Sequence, residues 1–400
     1  MPTEWLIVLV VCAVLALPIL VLTVVVAVRR GKAERETAEA NERARLADQE
    51  EKERQALLTP PRRPFAVVVN PTKTDDVTGL RRLFRIEAHR IGRPAPLWFE
   101  TTADDPGRGQ AREAIAAGAS TVIAAGGDGT VRAVAEVLAD SGTPMGVVPM
   151  GTGNLLARNL GIPLEDLGRQ IRIATSEQAG PVDVGWARAT EVPPGADDGI
   201  ATREVGAGRD GWHAFTVIAG MGWDADMVHE TRSELKARLG WFAYGFGGLK
   251  NSFKRRLPVR VSVDGGRAEE LKVRTVMVAN CGALPGGMVL SPDSKFDDGV
   301  LDVVAVNTRF GLLGWSHLLM SVAKQSRTGA PEGETASGAP RRKSGLRGSE
   351  MLFQPAKDVR VEAERPANVQ LDGDMLGTAG GVDVRVSHGA LKVRFPGAAE

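Results

Sequence analysis

One stretch, Val122-Ile-Ala-Ala-Gly-Gly-Asp-Gly-Thr-Val-Arg-Ala-Val-Ala-Glu-Val-Leu138, constrains this chain more than any other. A short apolar run ends in Gly126-Gly127-Asp128-Gly129-Thr130, and a helical pattern begins at once. Glycines at a strand-to-helix junction let the backbone turn tightly and approach a ligand closely. The first amides of the helix have no partner within it and favour an anion such as phosphate. Asp128 narrows the reading. A carboxylate beside bound phosphate repels it unless a cation or a reacting proton intervenes, which points to Mg²⁺ or general-base chemistry. The plain alternative is a glycine-rich turn with a capping Asp.

Two more loops have the same design. Val147-Val-Pro-Met runs into Gly151-Thr152-Gly153-Asn154 and a short helix, and Phe65-Ala-Val-Val-Val69 runs into Asn70-Pro71-Thr72-Lys73-Thr74. In an open parallel sheet, loops at the carboxyl ends of strands gather on one edge, where ligands bind. Strands are expected at 65–69, 96–100, 121–125 and 146–149, with helices near 76–91, 108–118, 130–140 and 154–160. That alternation predicts an α/β nucleotide-binding domain over 65–178. Beyond it, 179–400 reads as a β-rich second domain, with helices near 224–252 and 311–324. Two inserts, 190–211 and 326–350, have the composition of unstructured segments.

The N-terminus is of another kind. Trp5 to Val28 carries no charge, is rich in Val, Leu and Ile, and is followed by Arg29, Arg30 and Lys32. As a helix it spans roughly 36 Å, enough for a bilayer. The expectation is a single transmembrane anchor over 1–30 with the bulk of the protein cytoplasmic at the cell membrane. A charged helical stalk and Pro-rich linker over 31–64 follow it.

Composition excludes several classes. Lys plus Arg number 50 and Asp plus Glu 49, so nothing argues for nucleic acid. The two cysteines, Cys12 and Cys281, allow no disulfide framework, and the five histidines lack ligand spacing.

Taken in order, Asn70-Pro71, Gly126 to Thr130, Gly151 to Asn154 with Arg158, Gly220-Met-Gly-Trp-Asp-Ala225, Pro292 to Gly299, and Leu371-Asp372-Gly373-Asp374 resemble the diacylglycerol kinase catalytic family. This is a family of soluble-fold lipid kinases related to sphingosine and ceramide kinases. The resemblance covers about 65 to 395. The Gly-Gly-Asp-Gly-Thr motif alone is shared with NAD kinases; the combination is far more specific.

The resemblance implies that Asn70, Pro71, Thr72, Lys73 and Thr74 hold ATP phosphates together with Gly126, Gly127, Asp128, Gly129 and Thr130. Thr102, or its neighbour Thr101, borders the nucleotide, and Gly151, Thr152, Gly153 and Asn154 complete the pocket. It assigns the proton acceptor to Asp372, with Asp128 as the competing candidate, and sets Asp128 and Asp183 in a Mg²⁺–water–carboxylate network. A structural Mg²⁺ is implied at the Asp-Asp-Gly turn, on Asp298 and the carbonyls of Lys295 and Val300. Arg158 is expected to neutralise charge developing in phosphoryl transfer. Many bacterial members have Asp where this chain has Leu155.

The implied acceptor is diacylglycerol. Another lipid alcohol, NAD, or a non-catalytic lipid or nucleotide sensor are the alternatives. Trp223, Trp241, Phe242, Tyr244 and Phe246, close to Arg238, Lys250, Lys254, Arg255 and Arg256, could line a lipid path or form an amphipathic helix packed on the second domain. Oligomeric state, a homodimer included, is left open by the sequence.

Overall fold

The computed structural model describes residues 29–30, 32, 37, 41–48, 62–190, 210–222, 256–284, 288–289, 294–308, 332–334, 340–344 and 349–397. The expected helices at 224–252 and 311–324 and most of the 190–211 insert lie outside the described residues.

Four parallel strands begin the body. They are β1 (Ala66–Val69), β2 (Leu97–Glu100), β3 (Val122–Gly126) and β4 (Met145–Pro149), ordered β4-β3-β1-β2. β1, β3 and β4 are buried along their whole length, as their continuous apolar runs demand. Helices connect them: α1 (Val77–Arg90), α2 (Arg108–Ala116) and α3 (Asp128–Leu138), then α4 (Leu155–Asn159) and α5 (Leu167–Ala174) after β4. α1 buries Leu80, Phe84, Glu87 and Ala88 and shows its arginines to solvent.

The rest is β-rich and antiparallel. Its strands are β5 (Gly180–Thr190), β6 (His213–Phe215), β7 (Ile218–Gly222), β8 (Leu257–Val263), β9 (Glu269–Val273), β10 (Thr275–Ala279), β11 (Ala283–Leu284), β12 (Met288–Val289) and β13 (Leu301–Thr308). They are followed by β14 (Glu332–Glu334), β15 (Pro340–Ser344), β16 (Ser349–Ala356), β17 (Asp358–Leu371) and β18 (Asp374–Val393). β17 and β18 form a long hairpin about the turn at Asp372-Gly373. At its far end Val393 pairs in parallel with Met145, so β18 joins the antiparallel strands to the β4 edge.

Two expectations change. Residues 326–350 were expected to lack regular structure, yet β14 and β15 pair with each other and β15 pairs with β16. Backbone hydrogen bonding to a neighbouring edge supplies there what composition does not. The cell-membrane placement is also corrected, and the expected transmembrane helix falls outside the described residues. Among the described residues no helix is long and apolar enough to cross a membrane. The span 5–28 lies outside the described residues, and of the stalk 41–48 is helical.

Candidate active site

Three loops meet at the carboxyl ends of β1, β3 and β4. Asn70 follows β1 and caps the short turn Pro71–Lys73; its Oδ1 accepts the Thr72 N–H (3.0 Å) and hydroxyl (2.8 Å). Its Nδ2 reaches Thr130 Oγ1 at 3.4 Å, and its backbone N–H donates to Ala125 O. The first loop is thereby tied to the second. Lys73 crosses the same ground: a Cβ placed on Gly127 would lie 3.8 Å from Lys73 Cε.

The second and third loops touch through their backbones. A Cβ on Gly151 would come within 2.8 Å of Gly127 Cα, so glycine is required for the approach. Asn154, at φ 50°, accepts the Gly151 N–H (2.9 Å) and donates to its carbonyl (2.8 Å), closing the turn. Arg158 Nε donates to Gly153 O at 2.8 Å.

Asp128 opens α3 and spans the gap. Its oxygens accept the N–H groups of Asn154 (2.9 Å) and Leu155 (2.6 Å), so it caps the start of α4. Burial pushes its carboxyl up to about 6, against the pull of those amides, and the nearby Asp372 and Asp374 charges push the same way. Leu155 contributes its main-chain N–H here and buries its side chain.

Asp372 is buried, at φ 49°. One oxygen accepts the Thr216 N–H (2.7 Å) and hydroxyl (2.9 Å); the other accepts the N–H groups of Val217 and Ile218, both at 2.9 Å. Burial raises its carboxyl while the three amides and Arg132 pull it down. Asp374, two residues on, is different. It is half-exposed, a Cβ on Gly129 would meet its Oδ2 at 2.8 Å, and Arg132 Nη2 donates to that oxygen at 3.2 Å.

Asp183 is fully buried and braces other segments. Its oxygens accept the N–H groups of Gly299 and Gly389, both at 2.6 Å, and Nδ1 of His388 lies 2.9 Å away. Asn280 Nδ2 donates to both Asp183 O (2.9 Å) and Thr216 O (3.0 Å), linking this aspartate to the segment that holds Asp372. Asp298 is exposed and its Oδ1 accepts the Val300 N–H at 3.1 Å; Lys295 is exposed nearby in the chain. Thr102, at the end of β2, closes a turn with Asp105 through its hydroxyl (3.1 Å), and Thr101 is buried.

The structure therefore brings together Asn70, Lys73, Gly127, Asp128, Gly129, Thr130, Gly151, Gly153 and Asn154. Asp183 and Asp298 brace the Asp297-Asp298-Gly299 turn. Sequence reasoning missed Asp374 and Arg132. Asp374 stood inside the quoted Leu371–Asp374 motif. Arg132 is a single charge in the otherwise apolar run Val131 to Ala135, a mark of a buried cation.

Residues 64–187 match the diacylglycerol kinase catalytic domain family, and 217–323 match the YegS C-terminal NAD kinase beta sandwich-like domain family. This chain belongs to the diacylglycerol kinase catalytic-domain family of lipid kinases. A Pseudomonas aeruginosa protein named "Probable lipid kinase YegS-like" is 30% identical over 301 residues, 74% of this chain and 83% of that protein. A Bacillus subtilis diacylglycerol kinase is 30% identical over 197 residues, 48% of this lipid kinase family member and 57% of that enzyme. The crystal structure of a diacylglycerol kinase from Bacillus anthracis superposes with a TM-score of 0.57, covering 84% of this chain and 98% of its own; at 21% identity that likeness shows the fold. Family membership brings kinase chemistry with a nucleotide donor, and an α/β nucleotide-binding part followed by a β-rich part.

Proposed function

We propose that this lipid kinase transfers the terminal phosphoryl group of ATP to the free hydroxyl of diacylglycerol, giving phosphatidic acid. The observation that carries the reading is the meeting of the 70–74, 126–130 and 151–154 loops, backbone against backbone, with the Asp374 carboxylate at Gly129. Amides at the start of α3 and in the glycine loops face the phosphates, and Lys73 adds a positive charge across Gly127. Thr102 and Thr152, both exposed at the carboxyl-end edge, border the nucleotide. Arg158 stiffens the third loop through Gly153 O.

The proton acceptor in this reading is Asp374. As the acceptor hydroxyl attacks the terminal phosphorus, its proton passes to that carboxylate and ADP leaves. Asp372 and Asp128 each engage main-chain amides with both oxygens and hold the turns on which the site stands.

Mg²⁺ belongs to the proposal. Among the described residues no group of three His, Cys, Asp or Glu side chains is placed to hold a metal ion. Mg²⁺ does not require such a group, since it keeps its waters and binds through one or two carboxylates plus substrate phosphates. When bound it neutralises charge on the phosphate oxygens. A structural Mg²⁺ is proposed at the Asp298 turn, on that carboxylate and the carbonyls of Lys295 and Val300, an oxygen-only donor set.

The test is transfer of label from radiolabelled ATP by the purified chain to a panel of diacylglycerol, ceramide, sphingosine and NAD. Label in phosphatidic acid is expected. Label entering NAD alone sinks the lipid reading; label in ceramide or sphingosine moves the acceptor to that lipid alcohol. ATP binding without transfer to any acceptor leaves a nucleotide sensor.

A further inference from the structure

Arg132 lies one turn into α3, with 3% of its side chain exposed. Its neighbours on the helix, Val131, Ala133, Val134 and Ala135, are apolar and buried. Arginine keeps its proton inside proteins, and burying a guanidinium is unfavourable unless it is paired. The nearby acid Glu136 is already committed. Its two oxygens take a bidentate pair from Arg108 at 2.7 and 2.9 Å, and one of them also accepts the Ala214 N–H at 3.1 Å. His213, close to the same groups, is held toward its neutral form by burial. Arg132 Nε and Nη1 are buried with no hydrogen-bond partner among the described residues. What the side chain does grip is Asp374, 242 residues further along the chain, at 3.2 Å.

Asp374 is thus fixed from two sides. Its main chain is aimed by the Asp372-Gly373 turn, whose residues have φ of 49° and 85° and whose Gly373 N–H donates to Gln370 Oε1 at 2.8 Å. The carboxylate itself, 46% exposed, has Arg132 as its buried hold. A half-exposed aspartate samples other rotamers in the absence of such a contact. A misplacement of about 1 Å at a reacting group can cost on the order of a hundredfold in rate.

We propose that Arg132 is a positioning residue: it reaches from the interior of α3 to hold the Asp374 carboxylate at Gly129, in the orientation that receives the acceptor's proton. This rests on Asp374 being the proton acceptor.

The experiment uses the full chain with ATP, Mg²⁺ and dioctanoylglycerol in mixed micelles. Four variants are compared with the parent: Arg132→Met, Arg132→Lys, Asp374→Asn and the Arg132→Met/Asp374→Asn pair. Arg132→Met is expected to lower kcat about a hundredfold with the KM for ATP little changed, since the lost term acts only in the chemical step. Arg132→Lys, which keeps the charge without the planar fork, is expected to fall between that variant and the parent. The pair is expected to be no slower than Asp374→Asn alone, because the arginine acts through the aspartate.

Parent-like kcat in Arg132→Met beside a dead Asp374→Asn overturns the positioning role and leaves the base assignment standing. Losses that multiply in the pair assign Arg132 to structure alone. Parent-like kcat in Asp374→Asn, or a parent that transfers no phosphate to dioctanoylglycerol, overturns the parent reading and this role with it. Should Arg132→Met fail to fold, as judged by circular dichroism, Arg132→Lys decides. A parent-like kcat there refutes the proposal, and a lowered kcat at constant KM supports it.

Discussion

At Asp372, three main-chain amides and a hydroxyl converge on two carboxylate oxygens inside the protein. Hydrogen bonds to a charged group contribute about 1.5–3 kcal/mol each, and a buried donor left unmatched costs about 1–3 kcal/mol. Asparagine in its place would turn an NH₂ group toward amides that also donate. Asp372→Asn is therefore expected to lower unfolding stability by about 2–4 kcal/mol, read by chemical denaturation near neutral pH. A variant as stable as the parent but without turnover would return the proton-acceptor role to Asp372. The same residue shows where the sequence stops informing. Leu371-Asp372-Gly373-Asp374 offers two aspartates two residues apart. What separates them is the Thr216–Ile218 segment under one and Arg132 beside the other, and both are remote in the chain.

At the scale of elements, the strand–loop–helix units of the first half were legible because their signals are local. An apolar run followed by Gly or Asn-Pro fixes where a strand ends, and β1, β3 and β4 stop within a residue of the expected positions. α5 was missed: it is short, carries Gly168 in its first turn, and depends on the Asp166 side chain accepting the Arg169 N–H at 2.9 Å. The continuity of the β17–β18 hairpin was not legible in the sequence. Glu364-Arg365-Pro366 looks like a break, and the ladder absorbs it as a register shift between Glu362 and Ala367. The loops that carry the site offer a sharper test. A methyl group on Gly127 would make ordinary contact with Gly151 Cα at 3.5 Å, whereas one on Gly151 would press on Gly127 Cα at 2.8 Å. Gly127→Ala is therefore expected to keep the parent's melting temperature within about 2 °C yet raise the KM for ATP about tenfold, by filling space the phosphates need. Gly151→Ala is expected to lose ATP binding and about 1–3 kcal/mol of stability together. Unchanged ATP affinity in Gly127→Ala would place the phosphates elsewhere.

Across the body from Arg63 to Glu400, which forms one compact unit, the apolar core ignores the boundary expected near residue 178. One buried cluster takes Ala66, Val68, Val122 and Val147 from the parallel strands and Val182, Val184, Met277, Val304, Leu391 and Val393 from the β-rich part. The Arg394 N–H donates to Met145 O at 2.9 Å, continuing the β18–β4 junction. Exposing either half to water would strip apolar cover from the other, so the two should unfold together. Calorimetry of the whole chain is expected to give a single transition for this body, with calorimetric and van't Hoff enthalpies in agreement. Leu391→Ala provides the check. Leu391 is fully buried in that shared cluster, and truncating such a leucine costs about 2–5 kcal/mol. If the body is cooperative, the whole transition moves down, and a tryptophan signal near Trp98 in β2 and one near Trp186 in β5 shift by the same amount. Two resolved transitions, with only the Trp186 signal moved, would mean that the halves fold independently and that the shared cluster contributes little across their boundary.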